Sequence, residues 1–250
     1  VCSSDLGLAF LQAVIVGYEI STRIGTALGR AHYKYWHNTG TVGTFGAAAA
    51  AASLYGLSAQ QFTHALATSA TFAAGLQQAF RKDSMSKPLH SGRAAEAGLA
   101  AAQMARVGVT GSLDVLDGEA GLGQAMSNGP EWPAVLSTLG AQFNITRMTF
   151  KNHACCGHTF AAIDAAQVLQ ARLNATPEDI ERLEVGTYGP ALDVAGNPNP
   201  TTAAEARFSI PYVVANALVH GSVRLAAFDT AHLEDPVTRD LMGRVQLTLD

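Results

Sequence analysis

The sequence predicts a mainly α protein: an all-helical bundle over residues 7–143, then a smaller α+β segment over 144–250. Two observations carry this. Before residue 143, apolar residues recur at helical spacing in stretches dominated by alanine and glycine. After it, short alternating runs, "NITRMTF" (144–150) and "IERLEVGTY" (180–188), separate the helical patterns and read as strands. A third observation sets the scale. The chain has 250 residues, 48% hydrophobic and 14% charged, which suits one large or two modest domains with much buried surface, including a subunit interface.

The elements follow in order. "VCSSDL" (1–6) matches one translated frame of a common sequencing-library adapter, so native sequence is expected from about Gly7, with the gene fragment cut at its 5′ end. Residues 7–30 form an apolar helical stretch in which Glu19 and Arg23 stand one turn apart. Its core, "LGLAFLQAVIVGY", has the hydropathy of a signal peptide but no basic leader or clear cleavage site, and reads as a buried helix. "HYKYWHNTGTVG" (32–43) is loop-like, "TFGAAAAAASLYG" (44–56) is a helix ended by Gly56, and Ser58 caps the next. A polar loop spans Gln77 to Ser91, with Ser91 capping a helix from Arg93 to Val107 that Gly108 closes. The small side chains predict closely approaching helix axes. In the second segment, 157–173 and 203–221 read as helices, the latter interrupted at Pro211, and "GRVQLTLD" ends the chain as a strand with no closing element, a sign of truncation there too.

Composition excludes several function classes. A net charge of −4 gives no reason to expect nucleic acid. No apolar run is long enough to span a membrane. Three cysteines, two of them adjacent (Cys155 and Cys156), form no disulfide framework and point to a reducing, cytoplasmic setting.

Three constellations could carry chemistry. In "KPLHSGRAAEAG", Lys87 and His90 are expected just before a helix start and Arg93 in its first turn. Basic side chains oppose the helix dipole there, so together with the free backbone N–H groups they suggest an anion site. The alternative is a solvated helix entry. Only four lysines occur in the chain, which makes Lys87 conspicuous. His37 stands in a Gly/Thr-rich stretch before a helix and by itself reads as structural or solvated. "FKNHACCGHTFAAIDAA" places Lys151 at a strand end, and His153, Cys155, Cys156 and His158 before a helix. Adjacent cysteines cannot easily both ligate one tetrahedral ion and no second C-x-x-C exists, so no metal is expected and the cysteines are read as packing at a domain seam.

Five blocks, "HNTGTVGTFGAAAAAASLYGLS", "SMSKPLHSGRAAEAGLAAAQMARVGVTG", "VLDGEAGLGQAM", "FKNHACCGHTFAAIDAA" and "ARFSIPYVVANAL", occur in the order found in the MmgE/PrpD family, which the chain resembles over about residues 7–250. The family includes 2-methylcitrate dehydratase, cis-aconitate decarboxylase and iminodisuccinate epimerase. The resemblance implies a helical domain, a smaller α+β lid, a homodimer, and a site between the domains with no metal or organic cofactor. It places the family's site histidine on His37 and its two lysines on Lys87 and Lys151. His90, Arg93, Cys156 and His158 are the expected further substrate contacts. In the decarboxylase branch a histidine lies five residues beyond the second lysine. Here that place is Cys156, with His158 two residues on, and the branch's tyrosine has no aligned counterpart, although Tyr188 is nearby.

The function expected is therefore a cofactor-independent lyase, 2-methylcitrate dehydratase-like, on a small di- or tricarboxylate. The lysines would hold carboxylates while His37 moves a proton at the adjacent carbon. Epimerisation or decarboxylation within the family, and a non-catalytic anion-binding dimeric scaffold, are the alternatives.

Overall fold

The computed structural model describes residues 4–80 and 84–250, so Val1–Ser3 of the adapter-like segment and residues 81–83 of the expected polar loop lie outside the described residues. The fold is mainly α, with two short strands among the described residues. It divides into two compact units, residues 4–80 with 84–148, and Thr149–Asp250.

The first unit is helical. Helix α1 (Ser4–Tyr35) breaks at Gly29, whose φ of +67° is a left-handed value glycine adopts without strain. Helices α2 (Asn38–Leu54), α3 (Ala59–Phe72) and α4 (Ser86–Arg106) follow, then short helices α5 (Leu122–Met126) and α6 (Trp132–Leu136). Ser58 caps α3 in a reciprocal capping box with Gln61. Gly56 and Gly108, both at positive φ, follow the ends of α2 and α4 as expected.

Small residues set the spacing of α1, α2 and α4. A Cβ on Gly17 would lie 2.9 Å from the carbonyl oxygen of Gly46, and one on Gly46 would lie 2.9 Å from that of Gly17. A Cβ on Gly98 would meet the Thr44 carbonyl oxygen at 2.5 Å and Ala47 Cβ at 2.6 Å. Helices α1 and α4 therefore both touch the backbone of α2. Ala52, Ala65, Ala102 and Ala105 form an all-alanine core between α2, α3 and α4. Larger residues, among them Ile24, Leu28, Val42, Phe45 and Leu122, fill the other side.

Glu19 and Arg23 are a buried clamp rather than a surface helix pair. Arg23 Nε donates to Glu19 Oε1 at 2.6 Å, and its guanidinium also donates to the Val135, Thr138 and Gln142 carbonyls. Glu19 Oε2 accepts the Asn144 N–H at 2.8 Å. The segment after α6 is thereby tied to α1.

Four expectations are corrected. The 32–43 loop shrinks to Trp36 and His37, because α1 runs to Tyr35 and α2 starts at Asn38. Helix α4 starts at Ser86, not after Ser91, since a proline in the first turn sacrifices no intrahelical hydrogen bond there. Ser91 lies inside α4, its hydroxyl donating to the Pro88 carbonyl. The early turns of α1 are not buried: Leu6, Leu8, Phe10 and Leu11 are exposed, and burial begins at Ala13. Helix α2, with 17 residues against 32, is too short to cover the whole of α1. "NITRMTF" is not a strand. Residues Asn144–Arg147 form a 3₁₀ turn, and among the described residues no neighbouring strand supplies a ladder.

The second unit is built on helix α10. Its elements are helix α7 (Phe160–Leu173), strand β1 (Leu183–Thr187), helices α8 (Gly189–Ala195), α9 (Ala203–Ala206), α10 (Ile210–His220), α11 (Thr230–Leu233) and α12 (Pro236–Gly243), and strand β2 (Val245–Leu249). Pro211 opens α10 rather than interrupting it, beside the Ser209 N-cap, and Gly221 at φ +74° ends it. Most of α10 is buried, packed with Ile163, Val223, Phe228 and Leu241. Strands β1 and β2 pair in parallel, Leu183 opposite Val245 through Thr187 opposite Leu249. The Tyr212 hydroxyl donates to the Ala227 carbonyl, and burial pushes its pKa up to about 12.

Two substitutions on α4 separate close approach from helix propensity. Gly98→Ala is expected to destabilise by about 1–3 kcal/mol, because the new methyl group meets the α2 backbone. Gly92→Ala, with nothing within 4 Å of its Cβ, is expected to stabilise by up to about 1 kcal/mol. Urea unfolding of both variants checks the opposite signs.

Candidate functional site

In the first unit the site is organised around the start of α2. His37 is the N-cap residue of that helix, with extended backbone, and its carbonyl accepts the Gly40 and Thr41 N–H groups at 2.9 and 3.1 Å. Its own N–H donates to the Gly75 carbonyl at 2.9 Å, next to an antiparallel bridge between Trp36 and Leu76. This crossing needs two glycines. A Cβ on Gly40 would collide with the Ala74 carbonyl, and Gly75 has φ of +133° with the His90 ring 3.3 Å from where its Cβ would be. The backbone of His37 is thus fixed by α2 on one side and residues 74–76 on the other.

Helix α4 brings the partner. His37 Nδ1 lies 2.8 Å from His90 Nδ1, with the rings tilted by 48°. Two nitrogens at that distance share one hydrogen, so one Nδ1 donates and the other accepts. Burial lowers the His90 pKa, and the positive charge of Lys87 one turn earlier lowers it further. Lys87 and His90 therefore stand within the first two turns of α4, not just outside it. Arg93 continues the stripe but makes an exposed ion pair with Glu96 at 2.8 Å.

Beneath His37 lies a histidine the sequence reading did not single out. His32 is fully buried, its Nδ1 3.0 Å from the Met126 carbonyl and its Nε2 2.8 Å from Thr41 Oγ1. A carbonyl can only accept, so Nδ1 carries the hydrogen and the Thr41 hydroxyl donates to Nε2. Burial lowers the His32 pKa. Its sequence signal was the i, i+5 spacing to His37 across the end of α1, which no motif distinguishes.

In the second unit Lys151 follows no strand. It is exposed and its Nζ donates to the Cys155 carbonyl at 3.3 Å. His153 is buried and bonds Asp164 at 2.8 Å, a structural arrangement. Cys155 and Cys156 are both buried. Burial raises the Cys155 thiol to about 11, and it contacts Thr159 Oγ1 at 3.1 Å, so it is neither a thiolate ligand nor a nucleophile near neutral pH. Among the described residues no three His, Cys, Asp or Glu side chains are grouped to hold a metal ion. His158 Nδ1 lies 2.5 Å from the Tyr188 hydroxyl at the end of β1. Tyr188, unaligned in the sequence reading, thus joins His158 through the fold. No helix of the described residues is long and apolar enough to cross a membrane.

Residues 2–134 match the MmgE/PrpD N-terminal domain, and residues 153–250 match the MmgE/PrpD C-terminal domain. The chain belongs to the MmgE/PrpD family. It is 32% identical to a cis-aconitate decarboxylase of Homo sapiens, over 96% of this chain and 51% of that protein. Identity to a cis-aconitate decarboxylase of Mus musculus is 31%, over 96% of this chain and 50% of that protein. A cis-aconitate decarboxylase-like protein of Aspergillus oryzae is 30% identical, over 95% of this chain and 53% of that protein. This MmgE/PrpD chain spans about half the length of the curated relatives it matches.

The buried His32 makes a stability prediction. Its pKa is lowered on folding, so below the ordinary imidazole value of about 6.5 the unfolded chain binds the proton first. The stability that neutral His32 contributes is present above that pH and is lost as the pH falls through it. The difference in melting temperature between wild type and His32→Gln should therefore narrow from about pH 7.5 to about pH 5.5. A difference that widens would mean that the folded protein holds His32 charged.

Proposed function

We propose that this protein is a lyase, needing no metal or organic cofactor, that moves a proton at a carbon next to a carboxylate in a small di- or tricarboxylate. The observation that carries it is the His37–His90 contact beside Lys87: an imidazole pair able to exchange a proton, next to a fixed positive charge. Abstracting such a proton leaves negative charge on the substrate, which a nearby ammonium stabilises. In this reading His37 is the acid–base residue, and Lys87 and Lys151 bind carboxylates. His158, bonded to Tyr188, is a further substrate contact. Arg93, paired with Glu96, and Cys156, buried, are less suited to that role.

Elimination of water, as from 2-methylcitrate, is the reaction first expected, and Cys156 in place of the decarboxylase branch's histidine weighs against loss of CO2. Loss of CO2 is a second reading, favoured by relatives whose names specify cis-aconitate decarboxylation. A stabilised carbanion is common to both, and reprotonation on the opposite face would give epimerisation. A cytoplasmic homodimer completes the proposal.

The test is to incubate the complete gene product with 2-methylcitrate, citrate and cis-aconitate, following each acid and CO2 release. One acid should be consumed. Lys87→Ala and Lys151→Ala should each cost at least about 2 kcal/mol in kcat/KM, about 30-fold. His37→Ala should lower kcat more than it raises KM. Wild-type kinetics in both lysine variants, or tight binding of these acids with no turnover, would remove the lyase reading; the latter would favour an anion-binding scaffold.

A further inference from the structure

We infer that His90 is a positioning residue for His37: it accepts the His37 Nδ1–H and so holds His37 in the tautomer whose Nε2 is the unprotonated nitrogen. The inference deepens the lyase proposal and rests on it for its catalytic meaning, but its structural content stands on the 2.8 Å contact.

The short contact admits two arrangements of the neutral pair. If His90 donates, His37 Nδ1 is an acceptor and its hydrogen sits on Nε2. His37 then has no second nitrogen on which to take up a proton. If His37 donates, Nε2 holds a lone pair. A proton removed from substrate carbon can form an N–H bond there as the C–H bond breaks, leaving the electron pair on the substrate. The Nδ1–H to His90 hydrogen bond persists, because imidazolium donates through both nitrogens. Only the second arrangement lets His37 work as a base without first breaking the contact.

The surroundings permit that arrangement. His90 must remain neutral to accept, and burial together with the Lys87 charge disfavours its protonated form. His37 cannot easily turn away, since its backbone is fixed by the Gly75 carbonyl and by the first turn of α2. The His90 ring is held against Gly75, where a side chain would crowd it. Both rings would carry N–H groups toward each other if doubly protonated, so the pair takes up one proton and not two while the contact lasts. In this reading His90 Nδ1 is engaged by His37 and is not itself a substrate contact.

The decisive measurement is the tautomer itself, read by 15N NMR of this chain with labelled histidine at about pH 8, above the ordinary imidazole pKa. The His37 signals are assigned by their loss in His37→Asn. In the wild type His37 should carry its hydrogen on Nδ1. His90→Asn places an amide oxygen near the position of Nδ1 and should preserve that tautomer. His90→Phe should return His37 to the Nε2–H form that free histidine favours. Wild-type His37 found as Nε2–H, or an unchanged Nδ1–H form in a folded His90→Phe, overturns the inference. Should His90→Phe not fold, the wild-type spectrum still decides. In the active gene product, His90→Phe should lower kcat by about tenfold or more with little change in KM, with His90→Asn recovering most of it. A catalytically silent protein with His37 as Nδ1–H would refute the lyase proposal and leave the positioning intact.

Discussion

The first unit depends on backbone-to-backbone approach at α2. Glycines 17 and 98 remove the side chains that would hold α1 and α4 away from it, and Gly46 does the same from α2 itself. Glycine inside a helix costs about 1 kcal/mol relative to alanine, and long alanine runs bury little area per residue. What these residues contribute is position. With the axes this close, sliding one helix along another would drive Cβ atoms into backbone, so the register of α2 against α4 is tightly set. That register carries His37, at the first residue before α2, to His90, in the second turn of α4.

Charge is placed sparingly and for defined ends. The buried Glu19–Arg23 pair is surrounded by carbonyl acceptors and a backbone donor, which offsets the desolvation that makes a bare buried pair unfavourable. Its reach from α1 to residues 135–144 organises a stretch with little regular structure. His32 is kept neutral by burial and ties α1 to α2 and to the end of α5. Lys87, in contrast, sits in the first turn of α4, where a cation opposes the helix dipole. In the proposed lyase site that charge stands beside the imidazole pair, where it would hold a carboxylate.

The second unit solves a different problem. One nearly enclosed helix, α10, is wrapped by shorter elements, and the parallel β1–β2 pair closes its sequence-distant ends together. The adjacent cysteines belong to this packing. The thiol of Cys155 is pushed up to about 11, so this cysteine is a core feature and not a reactive one. Lys151 of the same block is exposed, and the half-buried His158 reaches out of it to the exposed Tyr188.

The sequence by itself determined what depends on neighbours along the chain. Ser58 and Gln61 build a cap within four residues; Gly56 and Gly108 end helices through their own φ; β1 and β2 alternate visibly; and the block order identified the family. It misread the starts of α2 and α4 because Gly, Thr and Pro carry poor helix propensity, a penalty that vanishes in a first turn or against a packed neighbour. It misread residues 144–150 because alternation makes a strand only if a partner strand is present. His37 and Lys87 in the first unit and Lys151 in the second were singled out by residue type alone, but the contacts that His37 and His158 make were not. The His37–His90 contact joins positions 53 residues apart, and His158–Tyr188 joins positions 30 apart. Such contacts arise from helix register and from the course of a strand, which are set by tertiary packing.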